Sequence, residues 1–130
     1  MATLEDVHRI VSDLPATSAL PLGGPSAGFR VRVGDRDKDF AWSWRKRVHP
    51  KKTKVPQLDV LVVRVADEGE KQSLLEAEPD VFFTEPHYDG YAAVLVRIAN
   101  IDVAELTEVL TDSWRLTAPR ALVREFDAAG

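Results

Sequence analysis

Residues 59–98 read DVLVVRVADEGEKQSLLEAEPDVFFTEPHYDGYAAVLVRI, and this stretch decides the fold. It begins with an apolar run of the kind found in strands that lie inside a sheet. Asp67 and Glu70 follow at the three-residue spacing of a helix-capping pair, and Pro79 ends the helix that they open. Two more apolar segments come next, separated by a loop that is rich in turn-forming residues. The stretch therefore predicts a strand, a helix and two further strands.

The residues before this stretch predict a helix followed by two strands. Residues 3–14 place apolar side chains at helical spacing, with a threonine at the start and a proline just after the end. Residues 15–26 are rich in proline and glycine, which predicts a loop. Residues 28–33 and 39–45 alternate apolar and polar side chains, and the turn-forming residues between them predict a hairpin.

The last third of the chain predicts two helices. Asp102 and Glu105 repeat the capping spacing, apolar residues at helical spacing continue to Trp114, and Pro119 separates this helix from a final one. Strands joined by hairpins, with helices grouped between them, are typical of an α+β protein. We expect a single domain spanning residues 1–130, with an antiparallel sheet of about five strands and helices mainly on one face.

Composition narrows the classes of function. The chain has 130 residues and no cysteine, which excludes disulfides, thiolate nucleophiles and cysteine-based metal sites. Neither GxxxxGK[ST] nor GxGxxG is present, so nucleotide chemistry is disfavoured. The acidic start and the absence of an apolar run of about 20 residues predict a cytoplasmic protein with no membrane partner. We assign no catalytic residue, no metal site and no cofactor.

A dense run of positive charge interrupts an acidic chain. The net charge is −4, yet residues 30–54 carry +7 and the remainder carries −11. Residues 45–54, RKRVHPKKTK, are named here the basic segment. Its six cations are Arg45, Lys46, Arg47, Lys51, Lys52 and Lys54. The segment lies between two predicted strands, so we expect a long hairpin loop, or wing, whose cations contact phosphates. The alternative is a hairpin tip whose charge serves only solubility.

Three aromatic residues lead into the basic segment. Phe40, Trp42 and Trp44 alternate along one predicted strand and are expected to share one of its faces. Rings on such a face can stack on nucleic-acid bases, but they more often belong to a core. We predict that Phe40 and Trp42 lie in the core and that Trp44, which is nearest to the basic segment, can reach a ligand.

The loop EPHYDGY, residues 85–91, gathers several side chains that can make polar contacts. These are His87, Tyr88, Asp89 and Tyr91, and Gly90 among them permits a tight turn. One His with one Asp is too few ligands for a metal, and no distinctive nucleophile accompanies them. Two interpretations stay open: a structured turn that satisfies its own backbone, and a loop that binds a small ligand or a partner protein.

Several segments together resemble a known family. They are FRV at 29–31, FAW at 40–42, the long run at 61–98, and IDVAELTEVLTDSWRLTAPRAL at 101–122. In this order and spacing they resemble the MmcQ/YjbR family of small bacterial proteins. The resemblance implies an α+β fold similar to that of secretion chaperones. It also implies DNA binding through a double wing of hairpin loops, with no catalytic residue set.

The sequence therefore predicts a non-catalytic DNA-binding protein that contacts phosphates through a basic hairpin wing. DNA is the expected partner, and the protein is expected to be a monomer or a weak homodimer. The alternative is a small-ligand or protein-interaction domain centred on the EPHYDGY loop.

Overall fold

The computed structural model of the protein describes residues 1–46 and 55–129. Within these ranges the helices are α1 (Leu4–Ser12), α2 (Glu68–Ala77), α3 (Val103–Thr117) and α4 (Arg120–Ala129). The strands are β1 (Thr17–Ala19), β2 (Gly28–Val33), β3 (Arg36–Lys46), β4 (Val55–Arg64), β5 (Phe82–Phe83) and β6 (Ala93–Arg97). This α+β architecture confirms the predicted fold class.

The strands form one sheet in the order β1-β2-β3-β4-β6-β5, and every neighbouring pair is antiparallel. The sheet has six strands where the sequence predicted about five. The extra strand, β1, lies in the proline- and glycine-rich segment that was predicted to be a loop. It spans three residues and pairs Thr17 with Val31. A strand this short leaves no alternating pattern that sequence reasoning could detect.

The helices begin where the sequence predicted. Thr3 caps α1 in a reciprocal capping box with Asp6. Asp67 accepts a hydrogen bond from the Glu70 amide at the start of α2, and Asp102 does the same for α3. Each cap satisfies a backbone N–H that has no partner within its own helix.

Residues from all four helices pack against one face of the sheet and form the main core. α1 and α3 contribute buried side chains to it, while α2 and α4 contribute partly buried ones. The largest members of this core are Phe29, Phe40, Leu61, Phe82, Ile101, Leu106, Leu110 and Trp114. The prediction that the helices lie mainly on one face is confirmed.

A bulge in β3 corrects one sequence prediction. Phe29 pairs with Ala41 and Arg30 pairs with Asp39, so Phe40 is the extra residue between them. Phe40 and Ala41 therefore both face the main core. From Ala41 onward, the alternation of side chains between the two faces of the sheet is shifted by one residue. The prediction that Phe40, Trp42 and Trp44 share one face is wrong, because both tryptophans pack on the opposite side of the sheet.

Candidate functional site

The candidate site lies on the sheet face opposite the helices. Four buried aliphatic residues from β4 and β6 form its floor: Val60, Val62, Ala93 and Leu95. Four partly buried aromatic residues pack around that floor: Trp42, Trp44, Phe83 and Tyr88. We name this surface the aromatic face. Tryptophan and tyrosine suit such a position, because each has an apolar ring to pack and a polar group to hydrogen-bond.

Arginine side chains lie over two of these rings. The Arg64 guanidinium carbon is 5.6 Å from the centre of the Trp42 ring, and that of Arg97 is 4.0 Å from the centre of the Phe83 ring. A cation over an aromatic face is attracted by the ring quadrupole. Trp44 packs edge-on against Phe83, with ring centres 5.6 Å apart. The aromatic face is therefore both apolar and cationic.

The EPHYDGY loop covers one side of the aromatic face. Pro86–Tyr88 form a single 3₁₀ turn, and the Tyr91 amide donates to the Tyr88 carbonyl at 3.0 Å. Gly90 has a φ of +75°, which suits glycine best. These bonds match the interpretation of a structured turn. The same turn places Tyr88 against the sheet, where its hydroxyl accepts a hydrogen bond from Trp42 Nε1 at 3.3 Å.

Lys71 of α2 holds this loop in place. Its Nζ donates to the Tyr88 carbonyl at 2.6 Å and to the Tyr91 carbonyl at 3.0 Å, and the residue is only 1% exposed. This role of Lys71 was not predicted from the sequence. The sequence does contain a signal for it: Lys71 lies three residues before Leu74 and four before Leu75. This spacing places the lysine on the same inward face of α2 as the two leucines.

Two clefts open on either side of Trp42. The smaller cleft, of about 230 Å³, is lined by Trp42, Ser43, Trp44, Arg45, His87 and Tyr88. The larger cleft, of about 470 Å³, shares Trp42, Ser43 and Arg45. It adds Leu20, Ser26, Ala27, Asp39, Arg64 and Tyr91 to its lining. Trp42, Ser43 and Arg45 therefore line both clefts.

The structure brings together some of the predicted site residues. Trp44, Arg45, His87 and Tyr88 all line the smaller cleft, while Tyr91 lines the larger one and is 42% exposed. Arg45, the first residue of the basic segment, thus lies beside two residues of the EPHYDGY loop.

The remaining predicted residues are elsewhere or undescribed. Asp89 is exposed and is absent from the lining of both clefts. Lys46 is described through its backbone, which pairs with Val55 at the end of the β3–β4 ladder. The predictions for Arg47, Lys51, Lys52 and Lys54 fall outside the described residues.

The arginines of the sheet fall into two electrostatic groups. Arg30 and Arg32 form ion pairs with Asp39 and Asp37, at 2.7 Å and 3.4 Å. The other group forms no ion pair with any residue in the described ranges, and it comprises the exposed Arg36 and Arg45 and the partly buried Arg64 and Arg97. Positive charge is therefore neutralised along β2 and stays available where β3 enters the basic segment.

Across residues 1–46 and 55–129, no cluster of three or more His, Cys, Asp or Glu side chains could hold a metal ion. Within the same ranges, every helix is too short or too polar to cross a bilayer.

Comparison with known proteins identifies the family. The YjbR family model matches residues 12–116, which include the sheet, α2, the EPHYDGY loop and most of α3. The chain belongs to the YjbR family. This confirms the resemblance that the sequence suggested.

The chain is also similar to two mycobacterial proteins and to one solved structure. The chain is 43% identical over 132 residues to the uncharacterized proteins Mb2600 of Mycobacterium bovis and Rv2570 of Mycobacterium tuberculosis. Each alignment covers 97% of this chain and 96% of the relative. The fold is similar to the crystal structure of Deinococcus radiodurans protein DR2400, whose family-model domain is DUF419. That match has a TM-score of 0.66 and 20% identity, and it covers 89% of this chain and 78% of that chain.

Proposed function

We propose that this YjbR protein binds DNA without catalysing a reaction, by placing the cations of the basic segment against phosphates. A cytoplasmic location, where DNA is accessible, is part of the proposal. The aromatic face lies directly beside the segment, because Trp44 precedes it in β3 and Arg45 is its first residue. Contacts of this kind position a nucleic acid without reading its sequence.

The observation that carries the proposal is the contrast among the arginines. A cation that already has a carboxylate partner must give up that ion pair before it can bind a phosphate, and Arg30 and Arg32 are in this position. Arg45 is exposed without such a partner in the described part of the chain, and it starts a ten-residue run that contains six cations and no acid. The paired strand ends Lys46 and Val55 bring the two ends of that run together.

The acidity of the whole chain does not oppose this binding. Charges are screened over about 8 Å at physiological salt, whereas a domain of this length has a radius of gyration of about 14 Å. A phosphate beside the basic segment is therefore attracted mainly by that segment. Six phosphate contacts would make the logarithm of the DNA association constant fall with the logarithm of salt concentration with a slope of roughly −5.

The test is fluorescence anisotropy with labelled duplex DNA over a range of salt concentrations. Changing Lys51, Lys52 and Lys54 together to Ala should weaken binding and reduce the salt slope by about 2 to 3. The matched control changes Arg9, Arg120 and Arg124 to Ala, which removes the same charge from exposed positions on α1 and α4. Equal effects of the two triple variants, or no binding of either duplex or single-stranded DNA by the wild type at low salt, would refute the proposal.

A second candidate function follows from the larger cleft. Its volume of about 470 Å³ lies within the usual range for small-molecule sites, and Arg45, Arg64, Trp42 and Tyr91 suit a planar anion. A thermal-shift screen of metabolites would test it, with Arg64→Ala as the variant and His87→Ala, which alters the lining of the smaller cleft only, as the control. Stabilisation that needs Arg64 and is not reduced by competing DNA would favour this candidate.

A further inference from the structure

The smaller cleft has the shape and chemistry of a site for one flat ring. Three aromatic rings, those of Trp42, Trp44 and Tyr88, line it together with the imidazole of His87. Its volume of about 230 Å³ is below the range of about 300–1,000 Å³ that is usual for drug-sized ligands. The site is therefore suited to a small planar group that is attached to something larger outside the cleft.

The surroundings of the cleft indicate what that larger part is. Arg45 lines both clefts, and the five further cations of the basic segment follow it in sequence. A planar group in the smaller cleft thus lies next to Arg45, the residue at which the cationic run of the sequence begins. A base attached to a phosphate backbone combines a flat apolar ring with a negative charge a short distance away, and both features match.

We propose that the smaller cleft binds one unpaired base of single-stranded DNA while Arg45 contacts a neighbouring phosphate. This inference rests on the proposed DNA binding and names the form of DNA. Bases within a duplex are paired and stacked on each other, so their faces are not available to enter a cleft. Single strands expose those faces, and aromatic side chains beside a cationic groove are the usual means of binding them.

The hydrogen bonds around the cleft fix its walls before any ligand binds. Trp42 Nε1 donates to the Tyr88 hydroxyl, and Lys71 holds the Tyr88 carbonyl at 2.6 Å. Side chains held in this way lose little conformational entropy when a base binds. Lys71 is therefore a positioning residue of the site, acting through the loop that carries Tyr88.

The test compares three labelled ligands of equal length: a dT12 strand, a 12-base-pair duplex and an abasic 12-mer. The abasic strand has the same phosphates and no bases, so it reports the electrostatic contribution alone. The wild type should bind dT12 about 5- to 150-fold more tightly than the abasic strand. Because Trp114 is fully buried, quenching of tryptophan fluorescence by dT12 should come from Trp42 and Trp44.

The variants separate stacking from charge. Trp44→Ala should bring the affinity for dT12 down to that for the abasic strand and leave the abasic affinity unchanged. Trp44→Phe keeps an aromatic ring, so its affinity for dT12 should lie between those of the wild type and Trp44→Ala. The control is Leu116→Ala, an exposed apolar residue of α3 on the helix side, which should change neither affinity.

The outcomes distinguish this inference from the proposed function. Equal wild-type affinity for dT12 and the abasic strand overturns the base site even if every variant is unfolded. If the Lys51, Lys52 and Lys54 variant still loses binding in that case, the proposed function stands alone. Base-dependent binding of dT12 that ignores those lysines keeps the base site and overturns the role of the basic segment.

Discussion

The two faces of the sheet differ in what covers them. The face toward the helices is packed by buried side chains of α1 and α3, and its largest residue, Trp114, is fully buried. The aromatic face has a floor of four buried aliphatic residues, and its rings stay partly exposed. In the part of the chain that the structure describes, the EPHYDGY loop is what packs over it, rather than a helix.

The difference assigns separate roles to the two faces. A fully buried aromatic residue contributes to stability through the apolar area that it removes from water. Half-exposed rings with arginines over them contribute less in this way and remain able to contact a ligand. Stability should therefore depend mainly on the helix side and ligand binding mainly on the aromatic face. Three substitutions test how far this separation holds.

The largest effect is expected for Trp114→Ala. The Trp114 ring packs edge-on against Phe126 of α4, and its Nε1 donates to the Pro15 carbonyl at 3.0 Å. Truncation removes both contacts and leaves a cavity, so the free energy of unfolding should fall by about 3–5 kcal/mol. Urea denaturation followed by circular dichroism measures the change.

Leu116→Ala is the matched control on the same helix, because Leu116 is 50% exposed. It should change the free energy of unfolding by less than about 0.5 kcal/mol. If Trp42→Ala destabilised the protein as much as Trp114→Ala, the aromatic face would be a second core and the separation of roles would fail.

The next largest effect is expected for Lys71→Met. Lys71 belongs to α2 on the helix side, and it holds the loop that packs over the aromatic face. The substitution keeps the length and the apolar stem but removes the ammonium group from the Tyr88 and Tyr91 carbonyls. We expect a loss of about 2–3 kcal/mol, since two hydrogen bonds from a charged group are lost and each carbonyl keeps only its backbone partner, the Tyr91 amide or the Ala93 amide.

The loop should also become mobile in this variant. Amide hydrogen exchange at Tyr88 and Tyr91 measures that change, and Lys38→Met at an exposed position of β3 is the control. Slow exchange at these amides in Lys71→Met would mean that the turn holds itself without α2. Lys71 would then lose its role as a positioning residue.

Much of the fold followed from the sequence because its signals are local. The helix caps at Thr3, Asp67 and Asp102 each involve residues that lie within four positions of one another in the sequence, and the same is true of the turns. The bulge at Phe40 was not predictable, because it depends on how β3 pairs with β2. The same holds for Lys71, whose partners lie 17 and 20 residues away in the chain. The sequence indicated the basic segment and the EPHYDGY loop as two separate candidate sites. That Arg45 and this loop both lie beside Trp42 could be seen only in the structure.

The smallest effect concerns the pH dependence of the helix side. A hydrogen bond with the Glu78 carboxyl raises the pKa of Glu105 from 4.5 to about 7, assisted by partial burial and by repulsion from Glu78, Asp102 and Glu108. The folded protein therefore holds a proton between pH 4.5 and 7 that the unfolded chain has released. A rising pH disfavours the state that binds more protons, which in this window is the folded state. The free energy of unfolding should therefore fall between pH 4.5 and 7.

Glu105→Gln removes the charge that appears when this proton leaves, so it should be more stable than the wild type above pH 7, by about 1 kcal/mol after screening by solvent. Burial lowers the pKa of His8, which makes stability rise with pH below 6.5, but this contribution is common to both proteins and cancels in their difference. Glu125→Gln, at an exposed position of α4, removes the same charge without such a neighbour and should show no change across the window. A difference between wild type and Glu105→Gln that stays constant from pH 4.5 to 8 would show that the two carboxyls do not share a proton. In that case the contact between the end of α2 and the start of α3 would make no pH-dependent contribution to the stability of the protein in this range.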